Sequence, residues 1–209
     1  MRRETVLKIV GLLRRDLGKG FTILEISKLL KIGYRPAYNH ISELDEKNVI
    51  LTKRVGSSKQ CFLNLENAQA RHYLQEVDLV RKEELYKNSK LKLILEEIIP
   101  KITNQITASL HSVVLFGSHA KGTASKSSDV DLLFIVSSIK DKTVRERIER
   151  ECASYQHSHN VKISPLITDI EEFKKMLKSK KMNVGTETKE YGITLYGSEQ
   201  FWRLISWQE

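Results

Sequence analysis

Cysteine, proline, glycine and aromatic residues are all scarce in this chain of 209 residues, which holds two Cys, three Pro, ten Gly and 7% Phe, Trp and Tyr. Cys61 and Cys152 are too few for a disulfide framework or a four-cysteine zinc site, and they suit a reducing compartment. So little Gly and Pro, beside 40% hydrophobic and 29% charged residues, excludes collagen-like, low-complexity and largely disordered chains. Long apolar runs are missing too. The longest, residues 132–136, falls far short of the roughly 18 residues of a membrane span. At the start, Lys8 interrupts the first apolar stretch and Arg14 and Arg15 follow it, so no signal peptide is read there. The expectation is a cytoplasmic protein with no membrane partner.

Positive charge is what the chain has in plenty: 35 Lys and Arg against 26 Asp and Glu, a net +9. Residues 1–65 hold 13 basic and 6 acidic groups, whereas residues 66–209 hold 22 and 20. A basic first third beside a nearly balanced remainder points to a polyanion partner for the first part alone. The length allows one large or two small domains.

Within that first third, Val6, Ile9, Val10 and Leu13 form the stripe of a helix that ends near Gly18 and Gly20. Thr22-Ile-Leu-Glu25 has the form of a capping box, so a second helix starts near Ile23 and turns Ile26, Leu29 and Leu30 inward. After Lys31-Ile-Gly33, a third helix over residues 34–47 puts Ala37, Ile41 and Leu44 in the core. Its other face carries Tyr34, Arg35, Tyr38, Asn39 and His40, groups that reach base edges and phosphates in a major groove. Two strand-like stretches, 49–54 and 61–65, flank a polar tip that bears Lys53, Arg54 and Lys59. This order resembles the winged helix-turn-helix domains of prokaryotic transcription regulators, which implies binding to double-stranded DNA, as two copies where the site is palindromic. Such modules also serve as docking or dimerisation units. Residues 67–89 read as a linker helix, and a further helix runs past Pro100.

The chemical signal comes later. An apolar strand at 111–116 ends in Gly117-Ser118, and after ten intervening residues Asp129-Val-Asp131 opens a second apolar strand. On a strand, residues i and i+2 share a face, so both carboxylates converge. Two adjacent carboxylates call for a cation, and Mg²⁺ takes one or two of them while completing its shell with water and phosphate oxygens. A strand-end glycine lets a phosphate approach the backbone, where amides and the Ser118 hydroxyl can hold it.

Gly117-Ser118 with Lys121 and Gly122 nearby, the spacer, and Asp129-Val-Asp131-Leu132 resemble the motif of the DNA polymerase beta-like superfamily, in its minimal nucleotidyltransferase branch. The likeness extends over roughly 90–200. It implies a mixed sheet flanked by helices at 90–209, and with the winged helix-turn-helix resemblance at 1–66 and the linker helix at 67–89 the expected fold is a two-domain α+β or α/β chain with a nucleotidyltransferase domain second. It also implies transfer of a nucleoside monophosphate, AMP from ATP or the equivalent from another NTP, to a protein or small-molecule hydroxyl. Asp129 and Asp131 would be catalytic and hold Mg²⁺ or Mn²⁺; Gly117, Ser118 and Lys121 would bind the nucleotide. Relatives of this type commonly add a third carboxylate on a following strand. The matching stretch 160–167 has none: alternation puts Lys162 or Ser164 there, and Asp169 lies beyond, capping the next helix. Two other readings therefore stand beside the enzyme, a DNA-binding regulator that senses nucleotide without turnover and an antitoxin-like protein with a toxin partner. His157 and His159 read as loop residues rather than metal ligands, and residues 201–207 as a terminal helix laying aromatics on the core.

Overall fold

The apolar stripe Val6, Ile9, Val10 and Leu13 is the buried face of α1 (Arg3–Leu13). The computed structural model describes residues 3–56, 58–125, 127–179 and 181–206, with backbone alone at 156–159. These residues fall into two compact units, Met1–Val77 and Asp78–Glu209.

In the first unit, α1 gives way to a 3-10 turn at Arg14–Asp16, earlier than the glycines that follow. A two-residue strand β1 (Phe21–Thr22) leads directly into α2 (Ile23–Leu29). The join is a capping box: Glu25 N–H donates to Thr22 Oγ1 at 3.2 Å, and Thr22 N–H donates to the Glu25 carboxylate at 2.7 Å. These bonds satisfy amides that the first helical turn leaves without partners. Ile23 and Ile26 are buried, but Leu29 is 57% exposed. Against the expected inward Leu29, a position six residues after Ile23 has rotated about 240° around the axis at ~3.6 residues per turn, away from the core face. Then come α3 (Tyr34–Glu46), with Ala37, Ile41 and Leu44 buried, and the strands β2 (Ile50–Val55) and β3 (Ser58–Leu63). β3 pairs antiparallel with both β2 and β1, giving the order β1-β3-β2.

The helix α4 (Ala68–Leu85) lies where the linker was expected; its residues 68–77 belong to the first unit and 78–85 to the second.

The second unit is built on a four-stranded mixed sheet. Its strands are β4 (Leu110–Phe116), β5 (Val130–Val136), β6 (Ile163–Asp169) and β7 (Ile193–Tyr196), in the order β6-β5-β4-β7. β4 runs antiparallel to β5 and β7, and β5 runs parallel to β6. The parallel pair needs a crossover, which α7 (Lys142–His159) supplies. The backbone at His157–Ser158–His159 is therefore helical rather than loop; their side chains lie outside the described residues.

One face of the sheet buries Val113, Leu115, Leu132, Phe134 and Val136 in a cluster with α5 (Ser89–Ile106) and with Val144, Ile148 and Cys152 of α7. α5 supplies Leu91, Ile94, Leu95, Ile98 and Ile102, one helical stripe that runs unbroken past Pro100. By strand alternation, Asp131, Leu133 and Ile135 face the other way. On that side of the chain's order come α8 (Ile170–Lys178), α9 (Val184–Tyr191) and α10 (Ser198–Ser206). Phe201 and Trp202 of α10 are fully buried and stack edge-on at 5.1 Å, with Phe173 of α8 at 5.9 Å from Phe201. Trp207 lies outside the described residues. Cys61 and Cys152 are both free and buried, and burial pushes each thiol up to about 12, so both stay protonated packing groups. Among the described residues no helix is long and apolar enough to cross a membrane.

Candidate active site

Strand register assembles the site. Phe116, the last residue of β4, pairs with Asp131 of β5, so the turn that leaves β4 begins against that carboxylate. The turn is the short helix α6 (Gly117–Lys121), closed by Gly122 in the left-handed conformation. Gly117 has φ +69°, and a Cβ there would overlap Asp131 Oδ2 and lie 3.0 Å from its Cγ. Only glycine tolerates both the dihedral and the contact. The glycine and Asp131 are thus in direct apposition, and Ser118 follows half-buried in the same turn.

Asp129 stands just before β5, where Val130 N–H donates to the Lys162 carbonyl at 2.9 Å. The two carboxylates are shifted in opposite directions. Asp131 is raised above the usual carboxylate range, first by burial, then by the charges of Asp129 and Glu187, with His119 and Lys162 opposing. Asp129 is held below that range, chiefly by the hydrogen bond that Lys162 Nζ donates to its Oδ2 at 2.5 Å, with Ser164 Oγ donating to the same oxygen at 3.2 Å. Both donors come from the β6 side, in the stretch where an acid was sought, and Ser164 registers directly against Asp131. Asp169 ends β6 and caps α8, accepting the Glu172 N–H at 2.9 Å.

Two neighbours escaped the sequence reading. Glu187 of α9, its side chain 19% exposed, pairs with Lys121 at 2.8 Å and adds to the negative field on Asp131. Lys121, expected at a phosphate, therefore points to Glu187 and lies 5.7 Å from the Tyr191 ring. Arg81 of α4 donates to the carbonyls of Ala120 at 3.0 Å, Tyr191 at 2.7 Å and Gly192 at 2.8 Å. It ties the ends of α6 and α9, the two elements that carry Lys121 and Glu187. Beside it, buried Asp78 accepts from Thr194 Oγ1 at 2.6 Å and Trp202 Nε1 at 3.1 Å. No sequence signal marks Glu187 or Arg81, since each acts on a segment far away along the chain.

The donor set fits Mg²⁺. Asp129 and Asp131 are hard oxygen ligands, and Asp131 is repelled by its neighbour's charge, a repulsion a divalent cation relieves. Among the described residues no group of three or more His, Cys, Asp and Glu could hold a metal ion.

The profile of the family described as "Nucleotidyltransferase domain" matches residues 96–191, which contain Gly117, Ser118, Lys121, Asp129, Asp131, Lys162, Ser164 and Glu187. A curated relative from Methanocaldococcus jannaschii, named a "Putative protein adenylyltransferase", is 30% identical over 115 residues, 54% of this chain and 76% of the relative. The chain belongs to the nucleotidyltransferase family. A second relative of the same description and organism is 29% identical over 100 residues, covering 48% of this chain and 93% of its own length. A solved structure titled "Crystal structure of the toxin-antitoxin with AMP-PNP" aligns at TM-score 0.37 and 19% identity, over 53% of this chain and 80% of that one.

In the first unit, Tyr34, Arg35, Tyr38 and Asn39 are exposed along α3, and His40 is half-buried beside them. Lys53, Arg54 and Lys59 are exposed on the hairpin, where Arg54 pairs directly with Lys59 across β2 and β3. Like charges placed opposite each other destabilise a hairpin.

Proposed function

We propose that the unit Asp78–Glu209 transfers AMP from ATP to a hydroxyl of a protein or small molecule, with Mg²⁺ on Asp129 and Asp131. The observation that carries this reading is the apposition of Gly117 and Asp131, which brings a phosphate-accepting turn and an acid pair to one end of the two central strands. Gly117 and Ser118 hold the outer phosphates through backbone amides and the hydroxyl. Asp129 and Asp131 hold the divalent ion, which when bound neutralises triphosphate charge. The acceptor oxygen forms a bond to the α-phosphorus as the α–β bridging P–O bond breaks, pyrophosphate leaves and the hydroxyl proton passes to solvent. Arg81, through α6 and α9, keeps the turn and the Lys121–Glu187 pair in place. The name of the two archaeal relatives, "Putative protein adenylyltransferase", favours a protein acceptor.

The same proposal makes Met1–Val77 a winged helix-turn-helix that binds double-stranded DNA, α3 entering the major groove and the β2–β3 hairpin lying along phosphates. The support is the facing Arg54 and Lys59, a repulsion that a bound polyanion converts into attraction.

The test is transfer of label from α-labelled ATP, with Mg²⁺ or Mn²⁺, into a lysate of the source cells. Label that disappears in an Asp129→Ala, Asp131→Ala double variant supports the transferase. One observation favours a second reading: Lys162 on Asp129. Nucleotide binding with no pair-dependent label would make the protein a nucleotide-sensing DNA-binding regulator.

A further inference from the structure

Asp129 carries partners that a simple metal-binding acid pair does not require. Lys162 Nζ and Ser164 Oγ both donate to its Oδ2, at 2.5 and 3.2 Å. That oxygen is engaged twice, which leaves Asp129 Oδ1 and the carboxylate of Asp131 as the protein's oxygens for a divalent ion. Mg²⁺ usually takes one or two carboxylates and fills the rest of its shell with water and phosphate oxygens. The remaining set serves one ion. A second would need further acids, and among the described residues none completes a group of three.

Charge leads to the same place. The two carboxylates carry two negative charges, one divalent ion cancels them, and the Lys162 ammonium adds a positive charge of its own. A second divalent ion would enter a site already positive before any nucleotide arrives. The ammonium is also placed to meet a polyanion, because the Lys162 side chain is 57% exposed while Asp129 tethers its tip.

We propose that Lys162 is a resident cation that stands in for a second divalent ion: the site loads one divalent ion per chain with the nucleotide, and the Lys162 ammonium, tethered by Asp129, supplies the remaining positive charge to the phosphates. This rests on the reading of Asp129 and Asp131 as the metal-holding pair. Lys162 is then a positioning and charge-supplying residue, and the replacement of an acid by a lysine on β6 adapts the site rather than retiring it.

The experiment counts Mn²⁺ by its electron paramagnetic resonance signal on the full chain, with a non-hydrolysable ATP analogue equimolar to the chain. Wild type and Lys162→Arg are expected to bind one Mn²⁺, and Lys162→Asp two. Lys162→Ala is expected to bind Mn²⁺ alone about fivefold more tightly, since an exposed ion pair competing for the carboxylate is removed, yet to bind the analogue more weakly, with Lys162→Arg restoring it. Two Mn²⁺ per wild-type chain, or Lys162→Ala affinities for Mn²⁺ and analogue both equal to wild type, would overturn the role of Lys162 alone. Mn²⁺ retained equally by the Asp129→Ala, Asp131→Ala double variant, or by no variant and not by wild type, overturns the reading of the acid pair and this inference with it.

Discussion

Replacing Gly117 with alanine tests the apposition on which the site depends. Two costs add. At φ +69° an L-residue sits in the left-handed region, which costs about 1–2 kcal/mol. The new Cβ would also overlap Asp131 Oδ2, with Asp131 Cγ at 3.0 Å and Cβ at 3.3 Å. Asp131 is fixed by its ladder partners Phe116 and Ser164, so the carboxylate must swing by on the order of 1 Å, and overpacking of this kind costs about 1–3 kcal/mol. The expected loss is therefore about 2–5 kcal/mol of unfolding free energy, read from urea denaturation. Gly122→Ala is the built-in control. Gly122 has φ +72° but nothing within 4 Å of its would-be Cβ, so it carries only the dihedral cost of about 1–2 kcal/mol. Metal and nucleotide binding should separate the pair further: Gly117→Ala displaces Asp131 and weakens Mn²⁺ binding, whereas Gly122→Ala leaves it near wild type. Equal destabilisation of the two variants, with Mn²⁺ binding intact in both, would refute the argument.

Asp131→Asn should stabilise the protein at neutral pH. Burial and the neighbouring carboxylates raise Asp131, so the folded state holds the proton more tightly than the unfolded chain, and stability falls as pH rises from about 3.9 through the raised value. The asparagine removes that loss, a gain of about 0.5–1 kcal/mol at pH 7 for so partly exposed a group, fading below pH ~4; a gain that grows on acidification contradicts the sign. Arg81→Ala removes charged donors from three carbonyls and should cost about 2–4 kcal/mol while weakening nucleotide binding. Unchanged affinity for the ATP analogue would show that the Arg81 contacts do not position the site. Arg35→Ala and Lys59→Ala should each lower the salt slope of duplex binding by about 0.9, measured by fluorescence anisotropy across a KCl series. Slopes equal to that of wild type in both variants would remove these residues from the DNA interface.

Local order was legible along the chain because it depends on near neighbours. The stripe of α1, the Thr22–Glu25 box and the Ala37, Ile41, Leu44 face of α3 are periodicities of a few residues, and each stands in the structure as an element. Leu29, expected inward, is exposed, and Leu30 is half-buried just past the end of α2, because that helix is only seven residues long and its phase is set by Ile23 and Ile26. The Gly-Ser turn and the Asp pair were likewise visible as local patterns, although Asp129 stands just before β5 rather than on it with Asp131.

Register and distant pairing were not. That Phe116 meets Asp131, and so presses Gly117 against a carboxylate, follows from how β4 slides along β5. The absence of an acid at Lys162 could be read directly, but the ion pair it makes with Asp129 spans 33 residues, and the bond from Arg81 to Gly192 spans 111. Glu187 reaches the site only because α9 comes to lie against α6, where Lys121 meets it. The sequence by itself determined the Gly-Ser turn, the acid pair and the local geometry that presents them; the tertiary structure decided their partners, the direction in which each carboxylate is shifted, and the arrival of Glu187 and Arg81, because electrostatic coupling acts through space and separation along the chain does not measure it.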